Sequence, residues 1–262
     1  MKIWAVANQK GGVGKTTTTV SLAGLLVQNG YRALMIDMDP HGSLTSYFGH
    51  NPDTVEESVY GLFYDDQLHA IRSLVMETGV DELHMIPANT ALATLDRQLG
   101  VRNSIGLIIA RALGLLTPHY DYVLIDCPPI LGILMVNALA ACHNLIVPVQ
   151  AEHLALKGLE RMKRTLDMMS HSRRLSIPYT VVPTMFDRRT REAGNSLEQL
   201  RDGYRDHLWQ EVIPVDTKFR AASRGRLPIS HIFPHSRGAL AYARLLDSLL
   251  HSDLRVESQV VA

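Results

Sequence analysis

Seven short apolar runs punctuate the chain: Ile3–Ala7, Ala33–Ile36, Leu83–Ile86, Tyr122–Ile125, Leu145–Val149, Ile177–Val182 and Val212–Ile213. Several lack the strict alternation of a half-buried strand and read instead as strands covered on both faces. Between them the apolar positions switch to a helical period. Ile105, Ile108, Ile109, Ala112, Leu113 and Leu116 keep one face over three turns. Thr16–Gln28, Ala155–Ser170, Arg191–His207 and Ser236–His251 read as further helices. Strand alternating with helix predicts an α/β fold: a mostly parallel, doubly wound sheet flanked by helices on both faces. The segment 49–82 is the least regular and is expected to be a peripheral excursion. No repeat, low-complexity tract or Gly/Ser linker divides the sequence. A single domain over residues 1–262 is therefore expected, with its core in about 1–250 and a short tail over 251–262.

Composition narrows this picture only a little. Apolar residues make up 46% of the 262, enough for a large core and too many for a disordered chain. The N-terminus leads directly into a strand-like run, and no stretch of about 18 apolar residues is present. The two cysteines, Cys127 and Cys142, form neither a disulfide framework nor a metal-type spacing. A reducing cytoplasm without membrane insertion is the expected setting. Charge adds more. The net charge is zero, yet residues 1–150 carry 8 Lys and Arg against 13 Asp and Glu, or −5. Residues 151–262 carry 18 against 13, or +5. A basic excess concentrated late in the chain fits a polyanionic partner or a solvated surface with scattered arginines, and charge counts alone favour the second.

The densest chemistry lies in residues 8–18, NQKGGVGKTTT. The run follows one apolar segment and precedes another, so strand, Gly-rich turn and helix is its natural reading. In that setting Gly11, Gly12, Val13 and Gly14 supply backbone N–H groups that close around an anion. Lys15 reaches the terminal phosphates and the Thr16 hydroxyl binds Mg²⁺. The standard phosphate-loop pattern requires a glycine where this chain has Gln9, and a second lysine, Lys10, stands at the loop entrance.

Two other apolar runs end in acids. Ala33–Ile36 leads into Asp37-Met38-Asp39-Pro40, and Tyr122–Ile125 into Asp126-Cys127-Pro128-Pro129. In a parallel sheet, ligands bind beyond the carboxyl ends of the strands, where such acids hold a metal-bound water near phosphate. Pro40, Gly42 and Ser43 predict a turn that separates Asp37 from Asp39. Asp37 then faces Mg²⁺ through water, and Asp39 is free to orient the attacking water. A carboxylate with an ordinary pKa is a weak base, so hydrolysis is expected to be slow.

Taken in order, KGGVGKTT, DMDPHGSLTSYFG, DYVLIDCPP with NAL after it, PVQAEHLALKGL, TMFDRRT and PVDTKFRAASRGRLPI closely resemble the ParA/MinD-type ATPases of the deviant Walker A class. The resemblance runs over nearly the whole chain and lies nearer ParA and Soj than MinD. It implies ATP and Mg²⁺ as cofactors and a homodimer with ATP sandwiched between subunits. Lys10 resembles the signature lysine that reaches the partner's phosphates, Lys15 the Walker lysine, Thr16 the Mg²⁺ ligand and Thr17 a phosphate contact. Asp39 matches the water-orienting carboxylate and Asp126 the Walker B acid. Met185 and Pro214 fall where the family packs adenine, and Glu152 where some members touch ribose across the dimer. The resemblance also implies non-specific DNA binding, with Arg188, Arg189, Lys218, Arg220, Arg224 and Arg226 as candidates.

The implied function is an ATP-dependent switch that positions or partitions intracellular cargo. Its implied partners are a ParB-like protein, a polar scaffold or a chemotaxis protein, and DPHGSLTSYFG leans toward the array-positioning subgroup. Its location would be cytoplasmic, on the nucleoid or at a pole. The alternative is a metabolic ATP-dependent ligase or a reductase component on the same fold. One departure is His41, where family members usually carry Gln. The tail SDLRVESQVVA is a poor membrane anchor. Cys142-His143 reads as packing before a core strand.

Overall fold

The computed structural model describes residues 1–63, 71–95, 107–152, 155–173 and 177–260. Its strands are β1 (Lys2–Val6), β2 (Ala33–Asp37), β3 (Met76–Val80), β4 (Leu83–Ile86), β5 (Tyr122–Asp126), β6 (Asn144–Gln150) and β7 (Tyr179–Thr184). They form one sheet in the order β3-β4-β2-β5-β1-β6-β7, parallel throughout except for β3. The helices are α1 (Lys15–Gln28), α2 (Ser43–Tyr47), α3 (Ile108–Gly114), α4 (Ile133–Ala141), α5 (Ala155–Arg173), α6 (Arg191–Tyr204), α7 (Lys218–Arg224), α8 (Ile229–Ile232) and α9 (Arg237–Val260). This is the predicted doubly wound architecture.

The strands read as unbroken apolar runs because both faces are covered. In β1, Ile3 and Ala5 join a core shared with α3, α4 and α5, while Trp4 and Val6 join a second core beneath α1 and α9. The same alternation splits Leu34 and Ile36 from Met35, and Val123 and Ile125 from Leu124. Helix α1 is buried along most of its length, and the Thr18 and Tyr242 hydroxyls meet at 2.8 Å where it crosses α9.

Three expectations change. Strand β3 is an antiparallel edge strand inside the segment read as irregular. Its polar Glu77 and Thr78 and its bulge at Gly79 (φ 80°) mask the strand period. Val212–Ile213 is no strand; the chain there makes a single bridge, Phe186 to Pro214. The helix predicted over Ser236–His251 runs on, as α9, to Val260. Ile105, the first position of the predicted helical face, lies outside the described residues, and α3 begins at Ile108.

Candidate nucleotide and metal site

The turn between β1 and α1 is shaped by two glycines and fastened from three sides. Gly12 (φ 74°) and Gly14 (φ 90°) occupy left-handed backbone that side-chain-bearing residues adopt only with strain. A Cβ built on Gly11 or Gly12 would meet nothing within 4 Å, so the loop faces open space. Asn8 donates to the Pro148 carbonyl at 2.7 Å, and the Thr184 hydroxyl donates to the Val13 carbonyl at 2.8 Å. Gln9, the residue that breaks the phosphate-loop pattern, donates to Thr165 Oγ1 on α5 at 2.7 Å. The departure thus has a structural use: a side chain replaces hydrogen and ties the loop to the neighbouring helix. Lys15 Nζ donates to the Lys10 carbonyl at 3.2 Å, across the loop mouth. The Lys10 ammonium is turned away from that mouth and pairs with Glu152 at the end of β6.

The acids arrive by strand register. Asp37 and Asp126 are directly paired at the carboxyl ends of β2 and β5. Asp126 Oδ2 accepts from the Thr16 hydroxyl at 2.6 Å, while its Oδ1 is buried without a partner among the described residues. Burial, and then the neighbouring Asp37 charge, push the Asp126 carboxyl well above the usual range. Asp37 is likewise fully buried and is raised to about 6, again mainly by burial. Its Oδ2 accepts from the Thr45 N–H and hydroxyl at 2.8 and 2.7 Å, and its Oδ1 from the Asp39 N–H at 3.1 Å. Asp37 therefore fastens α2 to the strand end. An orphaned carboxylate oxygen beside a hydroxyl, with two buried acids straining to stay charged, fits a divalent cation: Thr16 and Asp126 are the pair that would hold it.

The predicted turn separates Asp39 from Asp37. Asp39 lines a cleft of about 700 Å³ with Gly11, Gly12, Gly14, Lys15, Thr16 and Thr17. Its Oδ1 accepts from the His41 N–H at 3.0 Å and lies 2.9 Å from His41 Nδ1. Met185 lines the same cleft, whereas Pro214 lines a second one of about 530 Å³. The two segments are neighbours all the same: the Phe186 and Val215 N–H groups donate to the Ile213 and Phe186 carbonyls. Tyr47, Pro129, Phe219, Arg220 and Ser223 also line the first cleft. The sequence marks Arg220 as a DNA-binding candidate and the others only as parts of longer motifs; their meeting at one cleft is set by tertiary packing.

Comparison with known proteins places this geometry. A family model described as an AAA domain matches residues 1–177. The chain is 38% identical to the sporulation initiation inhibitor protein Soj of Bacillus subtilis, over 93% of this chain and 96% of that one. This chain belongs to the ParA/Soj family of P-loop ATPases. Among solved structures, one titled cobyrinic acid a,c-diamide synthase from Mycobacterium smegmatis, with bound ADP and magnesium, is 34% identical. Its TM-score is 0.81, with 95% of this chain and 94% of that chain covered. A putative plasmid partition protein from Borrelia burgdorferi, bound to AMPPNP, is 25% identical with TM-score 0.79, covering 96% and 99%.

In this ParA/Soj member the six basic candidates are spread over several surroundings. Arg189 forms a bidentate pair with Asp187 and, with Arg188, borders the second cleft beside Arg237 and Arg244. Lys218 Nζ stands 4.6 Å from the Phe233 ring centroid. Arg226 (φ 56°) packs its guanidinium so tightly on Gly49 that a Cβ there would lie 2.4 Å from Cζ. Arg224 closes α7 in solvent, and Arg220 lines the first cleft. Cys127 is fully buried, with its thiol pushed well up by burial; burial pushes Cys142 up to about 12. His143 Nδ1 accepts from the Ile3 N–H at 3.0 Å, in keeping with a packing role. No helix among the described residues is long and apolar enough to cross a membrane.

Proposed function

We propose that this chain is an ATP-controlled dimerisation switch that positions or partitions intracellular cargo. The observation that carries the reading is Lys10. It sits one residue before the glycines that would hold phosphate, yet its ammonium is directed to Glu152 and not into its own cleft. A cation presented at the loop entrance suits a second subunit's γ-phosphate, where transition-state charge needs neutralising. Hydrolysis then depends on pairing. The name of one solved neighbour supports the cargo: the putative plasmid partition protein of Borrelia burgdorferi.

The remaining roles follow from position. The loop N–H groups and Lys15 bind the polyphosphate. Thr16 and Asp126, with Asp37 behind them, would hold Mg²⁺, which when bound supplies charge neutralisation between the terminal phosphates. Asp39 is accessible in the cleft and orients the attacking water; His41 fixes its Oδ1 edge. A carboxylate is a weak base that positions water without strongly deprotonating it, so turnover is slow and open to stimulation by a ParB-like or scaffold partner. The late basic side chains provide salt-sensitive, non-specific contact with DNA.

The test is the oligomeric state. With Mg²⁺ and ATP, Asp39→Ala should run as a stable dimer in size-exclusion chromatography and retain ATP, while the wild type returns to monomer as ATP is consumed. A monomeric Asp39→Ala that turns over ATP at the wild-type rate rules the switch out. A second reading draws on the diamide synthase name of the Mycobacterium smegmatis neighbour: an ATP-dependent ligase. Its mark would be turnover that needs a small carboxylic acid and no second subunit.

A further inference from the structure

The family resemblance groups Arg220 with the DNA-contacting residues, but the fold gives it another outlook. Helix α7 presents Phe219, Arg220 and Ser223 to the cleft that holds Lys15, Thr16, Thr17 and Asp39. Its basic neighbours Lys218 and Arg224 do not line that cleft. The platform under Arg220 is firm. Ala222 is fully buried, and Phe219 meets Tyr242 edge-on with ring centroids 5.8 Å apart. Phe219 also lies so close to Gly238 that a Cβ there would fall 2.5 Å from the ring. Beyond α7, the Tyr47 hydroxyl donates to the Leu227 carbonyl at 2.9 Å, tying this segment to the other wall of the cleft. The Arg220 guanidinium has no carboxylate or other side-chain partner among the described residues.

Charge completes the case. The cleft and its floor contain Asp37, Asp39 and Asp126, while Lys10 is paired with Glu152. That leaves Lys15 as the loop's own cation for a ligand carrying several negative charges. An arginine lining the same space, on a braced helix and with its donors uncommitted, suits phosphate oxygens in charge and in hydrogen-bonding capacity. We infer that Arg220 is a nucleotide-binding residue that pairs in cis with the polyphosphate of the bound nucleotide, and is not a DNA contact. This rests on the nucleotide-site reading above.

The experiment uses MgADP, which isolates binding from dimerisation and from DNA. Isothermal titration of the full chain should show Arg220→Ala weakening MgADP about tenfold, the scale of one charge-assisted hydrogen bond, with Arg220→Lys recovering part of the loss. Thermal unfolding of both variants should match wild type without nucleotide, since the side chain is exposed and unpaired. A parallel titration of duplex DNA against salt with the ATP-saturated protein should give the same slope for wild type and Arg220→Ala. Unchanged MgADP affinity, together with a salt slope reduced by about one, would assign Arg220 to DNA and overturn the inference. Unchanged affinity with an unchanged slope would overturn it equally. A wild-type chain that binds no MgADP would instead remove the nucleotide-site reading itself.

Discussion

At the residue scale, the polar contacts that matter most are those that fix a loop, and most of them join distant parts of the chain. Asn8, Gln9 and Thr184 pin the phosphate turn to β6, to α5 and to β7, and none of the three has chemistry to perform. A residue-scale ion pair far from the cleft works by the same physics at the other end of the sheet. Asp121 accepts from the Arg32 N–H at 2.8 Å and from its guanidinium at 2.9 and 3.1 Å, joining the starts of β2 and β5. The Arg32 guanidinium holds the Asp121 carboxyl down at about 2, below its ordinary 3.8. A depressed carboxyl contributes stability above its unfolded value and loses it as pH falls through the folded one. The pair is worth little in total, because 36% of the Asp121 side chain and 42% of that of Arg32 remain exposed. Asp121→Asn should therefore lower the melting temperature slightly at pH 7. The difference from wild type should shrink between pH 4 and pH 2, as measured by circular dichroism; a difference that grows on acidification would refute the pairing.

At the element scale, the parallel strands and long helices were legible in the sequence because burial on both faces writes unbroken apolar runs. Ala33–Ile36 and Tyr122–Ile125 were found to within a residue. The short helices α2 and α8 were not, since five and four residues show no period, nor was α7, whose KFRAASR has only Phe219, Ala221 and Ala222 as apolar positions. The phosphate loop and the acids at strand ends were legible too, being local motifs, whereas the cleft wall formed by Tyr47, Phe219, Arg220 and Ser223 is made only by tertiary packing. Glycines inside helices show the same divide. Gly24 in α1 faces Pro228, where a Cβ would lie 2.3 Å away, because α8 crosses at close range. Gly194 in α6 has nothing within 4 Å. Sequence treats both alike, but Gly24→Ala should cost about 1–3 kcal/mol through overpacking that the better helix propensity only partly offsets. Gly194→Ala should gain about 0.5–1 kcal/mol from propensity alone. Urea unfolding of the two variants separates the cases, and a stabilised Gly24→Ala would show that α1 and α8 do not approach as described.

At the scale of the whole molecule, the question is whether one chain contains a complete catalytic site. Lys15, Thr16 and Asp39 line a single cleft, with Asp126 buried behind Thr16, but Lys10 does not join them; Glu152 holds it outside. If Lys10 serves a second subunit, then loss of Lys10 and loss of Lys15 are defects of different halves of one composite site. Lys15→Ala cannot bind its own nucleotide but still offers Lys10 to a partner. Lys10→Ala binds nucleotide but offers nothing. Mixed in equal amounts, half of the dimers would pair one of each, and each such pair would rebuild one intact site and leave one without either lysine. ATPase activity should then rise from near zero in either variant alone to at most about a quarter of wild type, the pattern of a cation supplied in trans. Weakened pairing by the nucleotide-free Lys15→Ala subunit lowers that ceiling, so the mixture is best measured over a concentration series, where recovery should grow with protein concentration. A cation acting within its own chain predicts no recovery at any concentration, because every subunit in the mixture then lacks one of the two lysines its own site requires.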